Sequence, residues 1–252
     1  MRHRIGRYGW IPDLPDARDR VFRAPRRSGT LPPSTDLRGG CPRIYDQGEL
    51  ASCTANAIGA AVEFDQRKQN LPSSAPSRLF IYYNERALEG TIATDGGAML
   101  RNGVKTMARE GVCPETMWPY AVEKFAERPT AQCYKAGRAH PAVQYSRVAQ
   151  DLGQLKACLA AGYPFVFGFT VYESFESDEV AHTGVAGMPN VSETALGGHA
   201  ALAIGYDDAS KRLLVRNSWG TDWGMGGYFT LPYAYTVDEN LAADFWTIRV
   251  VK

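Results

Sequence analysis

The sequence lacks any apolar run long enough to cross a bilayer. The longest apolar stretches, such as residues 163–169, span only a few residues, whereas a transmembrane helix needs about 20. The basic start of the chain is also not followed by the apolar stretch of about 7 to 15 residues that a secretory signal peptide shows. We therefore expect no membrane partner, and the cellular compartment stays open.

Internal repeats and low-complexity tracts are absent as well. With 44% hydrophobic and 22% charged residues, the composition is that of a globular protein. Its 252 residues are enough for one large domain or for two lobes of about 100 residues each. We expect a monomer that needs neither a metal nor another cofactor.

The formal net charge of +1 conceals an uneven distribution. Residues 1–27 hold eight arginines and three aspartates, so the start of the chain is basic and the remainder is mildly acidic. A basic segment of this kind can bind nucleic acid, bind a membrane surface or dock on the protein's own body. Its apolar side chains favour the last of these, and they are Tyr8, Trp10, Ile11, Leu14, Val21 and Phe22.

A stretch rich in proline, glycine and arginine over residues 23–43 indicates a linker. We therefore predict an N-terminal extension over residues 1–35, a candidate pro-segment, that packs on a body of residues 36–252. No aromatic and basic residues interleave as in a nucleic-acid-binding module, so nucleic acid is not expected as a partner.

Hydrophobic periodicity divides the body into a helical half, about residues 44–142, and a sheet half, about residues 143–252. A run of helices followed by a run of strands is typical of an α+β fold. The predicted helices cover residues 52–70, 77–88, 100–109 and 151–161, the last within the sheet half. The predicted strands cover residues 165–171, 200–206, 213–217 and 228–231.

The five cysteines are odd in number, so at least one cannot form an intramolecular disulfide. Cys53 lies in the first turn of a predicted helix, where the helix dipole and a nearby imidazolium would lower the thiol pKa. Its backbone N–H, together with the amide of Gln47 six residues upstream, suits an oxyanion site. A cysteine in this position is more often a small buried residue, so the inference needs further residues.

Two residues of the sheet half supply that support. His199 begins one predicted strand and Asn217 ends the next, so that an imidazole–carboxamide hydrogen bond would fix the tautomer of a catalytic base. Each residue alone is more often structural, as a satisfied histidine or a turn asparagine. The set of four in this order indicates nucleophilic catalysis by a thiol.

These motifs resemble the papain-like cysteine peptidases from about Pro33 to the end of the chain. The segment Pro-Pro-Ser-Thr-Asp-Leu-Arg at residues 32–38 looks like the start of the mature enzyme in that family. The most specific match is Asn217-Ser-Trp-Gly-x-x-Trp-Gly-x-x-Gly-Tyr228. The resemblance implies a two-lobed fold, with the nucleophile on a helical lobe, His and Asn on an antiparallel β-barrel-like lobe, and a cleft between them.

The resemblance also implies the chemistry of the site. A thiolate–imidazolium pair of Cys53 and His199 would form an acyl-enzyme and hydrolyse peptide bonds. Trp219 would cover the His199–Asn217 hydrogen bond and form part of the leaving-group side. The implied substrate-binding residues are Gly96 and Gly97 along the backbone, Ala98, Met99, Gly168 and Ala200 around a specificity pocket, and Asp244 near its floor. Small walls and an aspartate predict a roomy pocket for a large apolar or a basic side chain.

The chain departs from the family around the nucleophile. Where the family usually has Cys-Gly-Ser-Cys-Trp, this sequence has Leu-Ala-Ser-Cys-Thr ending at Thr54, and Thr94 replaces the usual disulfide partner. Both halves of that disulfide are therefore missing together. Cys113 and Cys133 flank a loop, so their pairing stays open, while Cys41 and Cys158 are interpreted as structural.

Two questions of function stay open at this level. The same triad supports transfer of an acyl group to an amine, or deamidation of glutamine, and the fold also occurs in binding proteins without activity. The N-terminal extension is expected to obstruct the cleft and so regulate the enzyme. The alternative is that it forms an ordered strap across the back of the molecule.

Overall fold

The computed structural model describes residues 8–24, 30–72, 74–139 and 143–250. Its α-helices are α1 (Cys53–Lys68), α2 (Arg78–Glu89), α3 (Leu100–Glu110), α4 (Ala131–Ala139), α5 (Leu152–Ala160), α6 (Asp178–Thr183) and α7 (Tyr233–Val237). Its strands are β1 (Trp10–Ile11), β2 (Ser34–Asp36), β3 (Ala98–Met99), β4 (Val143–Arg147), β5 (Phe165–Tyr172), β6 (Ala195–Asp207), β7 (Arg212–Arg216), β8 (Tyr228–Pro232) and β9 (Ala242–Val250). Within the described ranges no helix is both long and apolar enough to span a membrane.

The helical half is built around α1, which is buried along nearly its whole length between α2, α3 and the sheet. Small residues on α1 allow this close approach on several sides. The four predicted helices are all present and correspond to α1, α2, α3 and α5. Ser77 caps α2 by accepting a hydrogen bond from the backbone N–H of Phe80, and Asp151 caps α5 in the same way from Gln154.

The sheet half is one antiparallel sheet in the order β4-β9-β5-β6-β7-β8, with β2 pairing with β6. Because the path through the described strands is open, the expected barrel-like lobe is in fact an open sheet. The α+β fold itself is confirmed. A cluster of buried aromatic side chains fills one face of this sheet, and α1 covers the other.

The N-terminal arm, defined here as residues 8–24, runs from the helical half to the edge of the sheet. Its strand β1 pairs in parallel with β3, and Val21 forms a parallel bridge with Arg147 of β4. Trp10 is part of the apolar core shared by α1 and the sheet, while Phe22 is part of the aromatic core. The arm therefore contacts both cores. Residues 1–7 and 25–29 of the predicted extension lie outside the described residues, and the boundary at residue 35 stays a prediction.

Candidate active site

Cys53 is the first residue of α1 and is fully buried. Because α1 packs against β6, the Cys53 sulfur lies beside the sheet, near the backbone of Ala200. The backbone of Gly9 of the arm also lies near the sulfur. The predicted nucleophile thus lies at the junction of the helical half, the sheet and the arm.

His199 and Asn217 form the predicted pair. The Nε2 atom of His199 lies 2.8 Å from Oδ1 of Asn217, and both residues are buried. Because a carboxamide oxygen only accepts, Nε2 is assigned as the donor and Nδ1 as the unprotonated nitrogen. Within the described part of the chain, Nδ1 has no hydrogen-bond partner, so it is free to accept a proton.

Trp219 lies against this pair, as its place in the motif implied. The indole and the His199 ring have centroids 4.7 Å apart and planes tilted by 38°. Phe175 and Trp223 back the indole from the aromatic core, and Trp219 itself is buried. Water is therefore excluded from the His199–Asn217 hydrogen bond, which strengthens it.

Gln47 is held rigidly between the two halves. Its Nε2 atom donates to the Leu50 carbonyl oxygen at 2.9 Å, and its Oε1 atom accepts from the Ser218 hydroxyl at 2.7 Å. Its backbone N–H also donates to the Ser218 carbonyl oxygen at 2.9 Å. Since one amide hydrogen is used by Leu50, the other is left for an incoming oxygen.

Thr54, which replaces the tryptophan usual in the family, has a partner of its own. Its hydroxyl donates to Oε2 of Glu85 on α2 at 2.8 Å. Complete burial raises the pKa of Glu85 well above its ordinary value. The residue after the nucleophile is therefore fixed by a hydrogen bond to a buried carboxyl group. Sequence reasoning missed Glu85 because nothing in its local pattern distinguishes it from a surface helix glutamate.

The ionisation of the site reflects its burial. Burial raises the pKa of the Cys53 thiol to about 12, against the opposing effect of its backbone hydrogen bonds. Burial also lowers the pKa of His199 to about 4, against the effect of Asn217. With the arm in place, burial therefore favours the neutral form of both groups.

The arm occupies the groove beside Gly97 and Ala98. The Ala98 backbone N–H donates to the Gly9 carbonyl oxygen at 2.8 Å, and Trp10 and Ile11 are in register with Ala98 and Met99. Gly97 has φ of +87°, and a side chain there would overlap the Gly9 carbonyl. Gly96 lies outside this contact, because a methyl group on it would approach only Thr94.

The predicted specificity pocket is filled by the indole of Trp10. A side chain at Gly168 would overlap this indole, and Asp244 accepts a 3.1 Å hydrogen bond from its Nε1 atom. Ala98 and Ala200 are both buried. The Ala98 backbone pairs with Trp10, and the Ala200 backbone lies near the Cys53 sulfur. The five predicted residues Ala98, Met99, Gly168, Ala200 and Asp244 thus lie near one another.

Sequence reasoning missed two residues that complete this groove. Gly198 packs against Trp10 so closely that a side chain there would overlap the Trp10 carbonyl. Tyr8 lies with its ring edge-on to His199 at 6.3 Å, and its hydroxyl donates to Glu176. The Gly-Gly-His order was a signal for Gly198, since small residues beside a catalytic histidine leave space for a bound chain.

All five cysteines are free thiols in the structure and all are buried. The pairing of Cys113 and Cys133, left open by the sequence, is thus not present. Both cysteines lie in the helical half. Cys113 precedes Pro114, which forms a bridge with Pro76, and Cys133 lies in α4.

A comparison with known families shows to which family the chain belongs. Residues 31–243 match the model described as papain family cysteine protease. The chain belongs to this family. It is accordingly a cysteine peptidase, and the helical and sheet halves are the two parts of the papain-like fold.

Two relatives in sequence and one solved structure illustrate the relationship. An uncharacterised peptidase C1-like protein of Acanthamoeba polyphaga mimivirus is 46% identical over 215 residues, which cover 82% of this chain and 69% of that protein. A cathepsin B-like protein of Giardia intestinalis is 30% identical over 203 residues, covering 75% of this chain and 64% of that protein. The crystal structure of xylellain, a cysteine protease from Xylella fastidiosa, has a TM-score of 0.92 and 43% identity, and covers 100% of this chain and 98% of that one.

Proposed function

We propose that this papain-family peptidase cleaves peptide bonds through Cys53 and His199, and that its N-terminal arm keeps it inactive until displaced. The observation that supports the chemistry most strongly is the hydrogen bond between Asn217 and His199, because it leaves Nδ1 of His199 unprotonated. His199 lies on β6, the strand whose backbone lies near the Cys53 sulfur.

The reaction begins with transfer of the Cys53 thiol proton to Nδ1 of His199. The sulfur then bonds to the carbonyl carbon of the peptide, and the carbonyl electron pair moves to the oxygen. His199 gives its proton to the departing amine as the carbon–nitrogen bond breaks. Water, deprotonated by His199, attacks the thioester, and the acid leaves as the thiolate–imidazolium pair returns.

Asn217 and Gln47 support the two charges that develop. Asn217 keeps the imidazole plane fixed and stabilises the imidazolium that forms on His199. Gln47 directs its remaining amide hydrogen, with the backbone N–H of Cys53, toward the oxyanion. Because Ser218 and Leu50 already hold the Gln47 amide, this donor needs no reorganisation during the reaction.

The arm supports a regulatory role through its position. Tyr8 lies against His199, Gly9 against Cys53, and Trp10 fills the pocket beside Gly168. A peptide substrate needs the same space. Displacement of the arm would rehydrate both catalytic groups, so the thiol pKa would fall and the imidazole pKa would rise toward values that favour the ion pair.

The pocket supports a preference for apolar or basic side chains. Trp10 shows that it accepts a large aromatic group, and Asp244 accepts a hydrogen bond from that group's N–H. A guanidinium would offer the same carboxylate a charged donor.

Mass spectrometry after treatment with a thiol-directed epoxide peptide analogue tests the assignment. One adduct on Cys53 is expected, and none on a Cys53→Ala variant. An adduct on another cysteine, or none at all under conditions in which the arm has been loosened, would refute Cys53 as the nucleophile.

A further inference from the structure

The acidic side chains of the N-terminal arm dock on one surface of the body. The arm holds three arginines and three aspartates, and each aspartate contacts a cation on helix α3 or strand β4. We call this surface the cationic face and define it as Arg101, Lys105 and Arg147. The aspartates that cover it are Asp13, Asp16 and Asp19.

The contact between Arg101 and Asp19 has the geometry of specific carboxylate recognition. Nε of Arg101 donates to Oδ1 of Asp19 at 3.1 Å and Nη2 donates to Oδ2 at 2.5 Å. Only 6% of the Arg101 side chain and 9% of the Asp19 side chain is exposed. Such a two-pronged, largely dehydrated pair is stronger and more selective than a surface ion pair.

Arg101 also recognises the arm as a peptide. Its Nη1 atom donates to the Leu14 carbonyl oxygen, and its backbone N–H donates to Oδ1 of Asp13 at 2.9 Å. A bound chain therefore presents both a main-chain carbonyl and carboxylates to this one residue. This combination is available from an acidic peptide and not from a nucleic-acid backbone.

Arg147 links the cationic face to the specificity pocket. Its Nη2 atom lies 3.2 Å from Oδ2 of Asp13 and 3.3 Å from Oδ1 of Asp244, and its Nε atom lies 3.3 Å from Oδ2 of Asp19. The indole of Trp246 lies beneath it, 4.8 Å from the guanidinium carbon. The face is thus continuous with the cleft, because the arm passes from Trp10 to Asp13 without a break.

Removal of the arm would leave this surface strongly cationic. In the described part of the chain, the ion-pair partners of Arg101 and Lys105 are aspartates of the arm, and only Arg147 keeps a carboxylate of the body, Asp244. Once the arm has left, the Arg101 guanidinium presents a fork of N–H donors that matches the carboxylates of another chain. A second anion is therefore expected to bind there.

We propose that the cationic face is a subsite for an acidic segment of the protein substrate, beyond the residue in the specificity pocket. The proposal rests on the proposed function, because the arm must leave before substrate binds. A substrate with carboxylates at this distance from the cleaved bond would pair with Arg101 and Lys105 in place of Asp19 and Asp16. Acidic substrates thereby gain affinity and also compete with the arm.

Direct binding tests the subsite independently of catalysis. The protein is the whole chain with Gly9→Ala to loosen the arm and Cys53→Ala to prevent turnover. The probe is a fluorescein-labelled synthetic peptide with aspartate at every third position, and the control peptide has asparagine at the same positions. Fluorescence anisotropy is expected to show about tenfold tighter binding of the aspartate peptide.

Variants of the face locate the site. Lys105→Gln and Arg101→Gln should each reduce the preference for aspartate several-fold. Arg109→Gln on the same helix, whose side chain is 78% exposed, should not change it. Lys105→Gln keeps the test valid if Arg101→Gln fails to fold, since Lys105 is at the surface. Equal affinity for both peptides, an unchanged preference in the Lys105 and Arg101 variants, or tighter binding of an oligouridylate than of the acidic peptide would overturn the proposal.

Cleavage separates this proposal from the proposed function. Two fluorogenic peptides that differ only in an aspartate or asparagine extension are compared with the Gly9→Ala protein. The acidic substrate should have a several-fold lower KM with unchanged kcat. If neither peptide is cleaved but the aspartate peptide still binds more tightly, the peptidase function alone is refuted. If both peptides are cleaved with the same KM, the subsite alone is refuted.

Discussion

The Gly9 carbonyl oxygen accepts a 2.8 Å hydrogen bond from the backbone N–H of Ala98, and the Gly9 backbone also reaches the sulfur of Cys53. A methyl group at Gly9 would overlap the Ala51 carbonyl oxygen. The arm therefore fits the cleft only with glycine at this position. One added methyl group is the smallest change that tests what the arm does.

Gly9→Ala should expose the nucleophile. Displacement of the arm rehydrates Cys53, whose thiol pKa is about 12 in the docked state, so the thiolate fraction at neutral pH rises. We expect alkylation by iodoacetamide to be faster by about tenfold or more. Gly39→Ala is the matched control, because a methyl group there meets nothing within 4 Å. Equal rates in the two variants would show that the arm does not protect the thiol.

Docking of the arm should depend on the protonation of Asp13. Burial, and then the charge of Asp244, raise the pKa of Asp13 from 3.8 to about 6, against the opposing effects of Arg101 and Trp246. Arg147 also faces this carboxylate. Because the docked state holds the proton more tightly than the free arm, docking is favoured at low pH and weakens as the pH rises through about 6.

The pH dependence is measured as the ratio of alkylation rates of Cys53 in the Gly9→Ala and unaltered proteins. This protection ratio should fall between about pH 4 and pH 6. Asp13→Asn should flatten the profile in this window. Protection that increases with pH in the unaltered protein would contradict the assignment.

Asn217→Ala should impair turnover more than binding. The variant frees the His199 ring and removes the acceptor that stabilises its imidazolium form. On the Gly9→Ala background, kcat should fall by roughly 10- to 1,000-fold, with KM nearly unchanged. Thermal unfolding checks that the variant is folded. An unchanged kcat would show that this hydrogen bond does not orient the base.

Asp244→Asn should alter substrate preference. Asp244 has φ of +60°, a conformation that asparagine tolerates well, so the substitution removes charge with little strain. On the Gly9→Ala background, kcat/KM for a dipeptidyl substrate with arginine in the pocket should fall about tenfold, while a leucine substrate changes little. A parallel fall for both substrates would show that the carboxylate does not select the side chain.

Glu85→Gln should change how stability depends on pH. Burial raises the pKa of Glu85 in the folded state above 4.5, so the folded protein retains a proton that the unfolded chain loses. The stabilising contribution of Glu85 is therefore lost as the pH rises above about 4.5, and the glutamine variant lacks this loss. On a Cys53→Ala background, the difference in melting temperature, variant minus unaltered, should increase with pH. A constant difference would contradict a buried, protonated carboxyl.

The sequence predicted four of the helices and strands β5 to β8, but it missed β2, β4, β9, α6 and α7. Helices α1, α2, α3 and α5 were predicted because their apolar residues recur at helical spacing. Helix α4 was missed because its short segment is mostly exposed and contains Gly137, and β1 and β3 were missed because they are two residues long and exist only through pairing with each other. Such elements depend on contacts between distant parts of the chain.

The candidate site likewise contains some residues that a local pattern predicts and others that only contacts between distant residues bring together. The Asn217 motif and the six-residue step from Gln47 to Cys53 are local patterns, and they predicted four neighbouring residues. The partner of Thr54 and the ion pairs of Arg101 and Arg147 join residues far apart in sequence, so no local pattern indicates them. The arm's place in the cleft could be inferred only from its apolar residues, while the glycine that makes the fit possible has no sequence signature.

The most direct test of the central claim is hydrolysis of a fluorogenic peptide by the Gly9→Ala protein, measured beside Gly39→Ala and Gly9→Ala/Cys53→Ala. We predict that Gly9→Ala hydrolyses the peptide about tenfold or more faster than Gly39→Ala, and that the double variant is inactive. Activity that survives loss of Cys53, or no gain from Gly9→Ala, would contradict a Cys53 peptidase held inactive by its own N-terminal arm.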